Sequence, residues 1–120
     1  MKWSIDLTIL TLEKLGIDGP NKGKFIIVLC SKWCQSCKLL AKKLESFKDE
    51  RGIELKEIDI SEYGALARDL KITAIPALIF FEDGKLINKD LEIYGELLVQ
   101  NGVMIGSFNE KILREIIEKI

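Results

Sequence analysis

Apolar residues change their spacing several times along the chain, and each change marks an element. From Asp6 to Leu15 they fall at Leu7, Leu10, Leu12 and Leu15, which predicts an amphipathic helix that Gly16 and Gly19-Pro20-Asn21 terminate. Phe25 to Cys30 is apolar without interruption, the pattern of a parallel strand buried on both faces. Helical spacing returns from Cys34 to about Glu50, with Leu40, Leu44 and Phe47 on one side and Gly52 beyond the end. Ile53 to Ile58 is mixed in polarity and reads as a strand nearer a sheet edge. Asp59 and Ser61 then open a short helix through Tyr63, Leu66, Ala67 and Leu70. Strand, helix and strand at this spacing require a right-handed crossover, so the fold class is α/β.

The second half is read the same way. Thr73 to Lys85 holds Pro76 as the first residue of an aromatic strand and a turn at Asp83-Gly84; a proline is tolerated there because the ladder does not yet need its N–H. Glu96 to Ile105 predicts a hairpin around Asn101-Gly102, a dipeptide favoured in two-residue turns. Asn109 to Lys119 is a helix with Ile112, Leu113, Ile116 and Ile117 facing inward. Ser107 with Glu110 predicts its capping box, and Asn109 is the alternative cap. With 120 residues, no internal repeat and no linker-like stretch, one domain covering residues 1–120 is expected.

The chemistry lies in Trp33-Cys34-Gln35-Ser36-Cys37-Lys38. Cys34 falls at a helix start, where unpaired backbone N–H groups and the positive helix end favour a thiolate, so it should ionise more readily than a free cysteine. Cys37 lies about one turn further in, close enough for a disulfide with Cys34 and better shielded. One reactive and one resolving thiol are the minimum needed to move a disulfide. The absence of histidine excludes His-based triads and His-ligated metal sites. A net charge of -1 gives no field that calls for nucleic acid or an acidic membrane, and no apolar run is long enough to span a bilayer. The first residues lack a signal-peptide core, so a cytoplasmic location is expected, where three cysteines argue for catalysis or metal binding over a structural staple. Frequent Ile, Lys and Glu fit a thermophilic source.

These residues, in this order, resemble the thioredoxin family. Trp33-Cys34-Gln35-Ser36-Cys37-Lys38 matches its Trp-Cys-x-x-Cys-Lys site, and Ile75-Pro76 matches the segment that bears its cis-proline. Glu82-Asp83-Gly84-Lys85 matches the following turn, and Ile105-Gly106-Ser107-Phe108 the approach to the last helix. The resemblance implies a thioredoxin fold, a central mixed sheet flanked by helices, here with an inserted hairpin before the C-terminal helix. It implies a protein-disulfide reductase whose only redox group is the Cys34–Cys37 pair, with no bound cofactor and no metal. Trp33, Ile75 and Pro76 would support the substrate, disulfide-containing proteins would be its partners, and a thioredoxin-reductase-type donor would recharge it. Oligomeric state is left open.

Four departures stand beside the resemblance. Gln35-Ser36 replaces the family's usual Gly-Pro, which leaves reductant and oxidant versions both open. Val28 stands where typical members carry a buried aspartate, and Leu55 aligns with the lysine near it, so slower proton handling at Cys37, or a specialised substrate, is expected. Cys30 replaces an aromatic residue. Roughly a dozen extra residues between Lys85 and Gly106 are expected to enlarge the sheet edge, as a subunit contact or docking element.

Plainer readings run alongside. Cys34 and Cys37 could be a chance pair on a structural helix, Pro76 an ordinary trans proline, Trp33 a packing residue, and Lys32 and Lys38 solvated surface instead of tuners of Cys34. Cys30 reads first as a small buried hydrophobe and second as a third redox thiol. Cys30-x-x-x-Cys34-x-x-Cys37 also has the spacing of the radical SAM cluster motif, but that family needs a larger barrel than this chain can build. The alternatives of another class are a thiolate metal or iron-sulfur carrier and a redox-sensing interaction module using residues 86–105.

Overall fold

The computed structural model describes Ile17, Gly19 and residues 22–32, 34–87, 89–106 and 109–120, with backbone only at 48–51. The helix expected over Asp6 to Leu15 lies outside the described residues, as do Trp33, Ser107 and Phe108.

In chain order the elements are β1 (Lys24–Cys30), α1 (Gln35–Arg51), β2 (Glu54–Asp59), α2 (Gly64–Asp69) and β3 (Ala77–Glu82). They are followed by β4 (Lys85–Leu86), β5 (Leu91–Ile93), β6 (Glu96–Val99), β7 (Val103–Ile105) and α3 (Glu110–Lys119). β1 pairs in parallel with β2 and antiparallel with β3, so it is central, and β2 takes the sheet edge that its mixed polarity predicts.

Strand geometry explains why β1 is apolar throughout. Alternate side chains point to opposite faces. Ile26, Val28 and Cys30 join a core with Cys37, Leu40, Leu44 and Phe47 of α1 and Leu113, Ile116 and Ile117 of α3. Phe25, Ile27 and Leu29 join the other core, with Leu66, Ala67 and Leu70, Ile79 and Phe81. Either kind of polar substitution would strand a group with no water, and among the described residues no polar or charged side chain is buried.

Local signals set several boundaries. Gly52, at φ +67°, follows the end of α1 in the left-handed conformation expected at a helix C-terminus. The short helix starts later than its sequence implies. Asp59 Oδ1 accepts the Ser61 N–H at 2.8 Å and forms a turn, and helix begins only at Gly64, with Tyr63 in the cap position and no side-chain bond there. At α3 the alternative cap is the one observed: Asn109 Oδ1 accepts the Ile112 N–H at 2.9 Å, satisfying one of the open donors.

The extra residues before α3 do not enlarge the main sheet, contrary to expectation. The outer edge of β3 is shared by two short strands, β4 against Phe81 and Glu82 and β7 against Ala77, Leu78 and Ile79. Between them the chain leaves the sheet, and β5 and β6 form a separate two-stranded sheet. Ile93 and Val99 from this hairpin are buried in the same core as α3. Lys111 of α3 lies over the Tyr94 ring, 5.6 Å from its centroid. The physical reason is that β3 has no free edge left, so the excursion covers its apolar residues against α3 instead. The Asn101-Gly102 turn is present as predicted, closing the Gln100–Val103 bridge with φ +51° and +79°.

Candidate active site

The site forms where β1 ends and β3 begins. Leu29 pairs with Ala77, so the loop after Cys30 and the residues before Ala77 share one end of the sheet. The Ile75–Pro76 peptide is cis, as the resemblance implies, and the Pro76 carbonyl accepts the Gly106 N–H at 2.8 Å. Ile75 is half-buried and packs against both cores.

Cys34 sits immediately before α1, its own N–H donating to the Ser31 carbonyl at 3.0 Å. Its Sγ accepts the Cys37 backbone N–H at 3.3 Å. That is the place an N-cap serine or aspartate oxygen normally fills, so the sulfur faces an open donor of the helix. Cys34 is half-buried, whereas Cys37 is 1% exposed on the inner stripe of α1. All three cysteines are thiols in this structure.

Cys30 also reaches this group. It is on the β1 face that α1 covers, 6% exposed, in the same buried cluster as Cys37. Burial pushes the Cys37 thiol far above its ordinary range; its bonds to Cys34 and Cys30 add to this, and a backbone bond at Ser31 opposes it. Burial also raises Cys30, where the charges of Glu57, Cys34 and Asp59 act in the same direction and the bond to Cys37 opposes them. Val28, in place of the family's aspartate, packs in this core with half-buried Leu55 against it, so among the described residues Cys37 has no buried base beside it.

A cleft of about 480 Å³ opens on Cys30 and Cys37. Lys32, Lys38, Glu57, Asp59 and Tyr63 are among its walls. The sequence did not single out the β2 residues as part of the site. The parallel pairing of Cys30 with Asp59 could have done so, because the carboxyl ends of adjacent parallel strands are where such folds build sites. The backbone N–H and hydroxyl of Ser61, with a smaller contribution from Lys32, hold Asp59 below the usual carboxylate range. Lys32 and Lys38 are exposed and border the cleft beside Cys30 and Cys37. Among the described residues no group of three or more Cys, Asp or Glu side chains is arranged to hold a metal ion.

A half-buried thiol capping a helix, a buried thiol three residues later and a cis-proline at the same sheet end define an α/β dithiol protein with a thioredoxin-like fold. Comparison with known proteins agrees. The Thioredoxin family model matches residues 17–101, and the chain belongs to that family. It is 34% identical over 85 residues to the thioredoxin of Mycolicibacterium smegmatis, a match covering 67% of this chain and 76% of that one. Among solved structures it is similar to a mutant thioredoxin from Halobacterium salinarum, with TM-score 0.62 and 21% identity over 90% of this chain and 80% of the other. Mitochondrial thioredoxin 3 of Saccharomyces cerevisiae, in its oxidised form, gives a TM-score of 0.61 at 23% identity over 82% and 80% of the two chains. Among the described residues, no helix is long and apolar enough to cross a membrane.

Proposed function

We propose that this protein is a thiol–disulfide oxidoreductase acting on protein disulfides, with Cys34 as nucleophile and Cys37 as resolving thiol. The observation that carries the reading is the pair's geometry: a half-exposed Cys34 sulfur accepting the N–H of a buried Cys37 at 3.3 Å. In the forward direction the Cys34 thiolate attacks one sulfur of a substrate disulfide and the other sulfur leaves as a thiolate. Cys37 then loses its proton and attacks Cys34 Sγ, releasing the second substrate thiol and leaving the Cys34–Cys37 disulfide. Two electrons have passed to the substrate. Ile75 and Pro76 border the place where an extended substrate segment would lie, and Trp33, next to Cys34 in the sequence, is a further candidate for substrate support. A thioredoxin-reductase-type donor in the cytoplasm is the matching source of electrons.

Equilibration against glutathione buffers, with free thiols counted at each ratio, tests the assignment. Two thiols will be lost together on oxidation, and a midpoint near about -270 mV marks a general reductant, whereas one near about -120 mV marks an oxidant. If no thiols are lost at any ratio, the oxidoreductase reading is wrong.

The same geometry sets a pH dependence. The Cys37 thiol is raised by burial, and it must lose its proton before it can resolve the mixed disulfide. Below its raised value the reactive fraction grows about tenfold per pH unit, so resolution will keep accelerating past about pH 8.5, where an ordinary thiol begins to level off. Stopped-flow release of a chromogenic thiol from the Cys34 mixed disulfide measures this. A plateau near pH 7 would show that Cys37 is deprotonated by some group other than those described.

A further inference from the structure

Three cysteines, not two, gather at the end of β1: Cys30 and Cys37 are buried in one core and Cys34 packs against it. The Cys37 N–H donates to Cys34 Sγ at 3.3 Å, and Cys30 shares the buried cluster and the cleft wall with Cys37. The alternation of β1 fixes this arrangement, since Cys30 follows Ile26 and Val28 on the face against α1, and Cys37 begins the inner stripe of that helix. Both residues also border the cleft, which gives this buried pair a route for proton exchange with solvent.

We propose that Cys30 is a third redox-active thiol that competes with Cys34 for Cys37. In the oxidised protein the Cys30 sulfur attacks Cys37 Sγ, the Cys34–Cys37 bond breaks, and a Cys30–Cys37 disulfide forms. The proton lost by Cys30 is balanced by the one taken up at Cys34, and no oxidant or reductant is consumed because one disulfide replaces another. The oxidising equivalent is then stored beneath the surface while Cys34 regains its thiol. A protein in this state can capture a second thiol-reactive group at Cys34 without first being reduced. Burial raises the attacking Cys30 thiol, so the exchange is slow at neutral pH and faster in alkali.

This inference rests on Cys34 and Cys37 being a redox pair, and the sequence provides a test that separates the two claims. Lys32 lies between Cys30 and Cys34, so trypsin places Cys30 in the peptide 25–32 and both other cysteines in 33–38. Wild-type protein is oxidised with one equivalent of diamide, incubated at mildly alkaline pH, acid-quenched, alkylated, digested and mapped by mass spectrometry. The expected product is a disulfide linking the two peptides, with Cys34 alkylated, alongside the internal Cys34–Cys37 form. In Cys34→Ser, diamide is expected to remove both remaining thiols by joining Cys30 to Cys37. Only internal disulfide in the wild type, together with two free thiols retained in Cys34→Ser, overturns the role of Cys30 and leaves the redox pair intact. No disulfide of any kind in the wild type overturns both.

Discussion

Cys34→Ser will remove disulfide-reducing turnover, by at least about 10³-fold, while leaving the fold essentially as stable as before. The activity loss follows from nucleophile chemistry. A serine hydroxyl is not ionised near neutral pH and forms no mixed disulfide. The stability half follows from local geometry, because the Cys34 sulfur accepts the Cys37 N–H from the cap position of α1. Serine is among the preferred residues at such a position, so its oxygen can replace that acceptor at a difference of no more than about 1 kcal/mol. The measurement is the rate of reduction of a protein disulfide above the dithiothreitol background, with urea melts of both proteins. Cys37→Ser should differ in kind, completing the first attack and then accumulating a stoichiometric mixed disulfide. If Cys34→Ser kept its cellular effect and removal of the β5–β6 hairpin abolished it, the protein would be a docking module and not an oxidoreductase.

Gly102→Ala will destabilise the protein by about 2–4 kcal/mol. Gly102 has φ +79°, in the left-handed region that an alanine adopts only at a cost. Its missing Cβ would also land on the backbone carbonyl of Ile87, with a Leu86 side-chain carbon 3.2 Å away. That carbonyl cannot swing aside, because the Ile87 N–H is bonded to Phe80 and the Gly102 carbonyl accepts the Phe80 N–H. Gly95 serves as the control. It has a similar φ of +83° but open space around its Cβ position, so Gly95→Ala should cost only about 1 kcal/mol. Paired urea melts at constant m value measure both. Equal losses in the two variants would show that backbone conformation alone matters and that the crowding at Ile87 does not.

What could be read from the sequence was whatever is written in adjacent residues. The run from Phe25 to Cys30, the cysteine pair at the start of α1 and the Ile75-Pro76 step are local patterns, and the fold places all of them as expected. The hairpin at Tyr94-Gly95 was not legible. Its turn has φ +52° and +83°, the same signs as Asp83-Gly84 and Asn101-Gly102, but tyrosine seldom takes the left-handed region and gives no turn signal. Tertiary packing supplies the reason, since Ile93 on one side of the turn is buried and Lys111 lies over the Tyr94 ring. The meeting of Cys30 and Cys37 in one core was half legible. Strand parity gives the face of Cys30 and helical spacing gives that of Cys37, but only the packing of α1 on β1 brings the two faces together. The walls of the cleft were hidden for the same reason, since Glu57 and Asp59 belong to a strand that follows α1 in the chain yet lies beside β1 in space.

Phe80 spans the break in the outer strand. Its N–H reaches the Gly102 carbonyl and its carbonyl receives the Ile87 N–H, both at 2.9 Å, so the two ends of the excursion meet across a single residue of β3. A loop whose ends are already held together can change length cheaply, since the entropy of closing it grows only with the logarithm of its size, roughly 0.6 kcal/mol per doubling. The pairing along β3 is thereby insulated from the content of the excursion. Residues 89–101 are consequently the described segment most open to replacement, lengthening or trimming, provided that the surface of α3 beneath them is given another apolar cover.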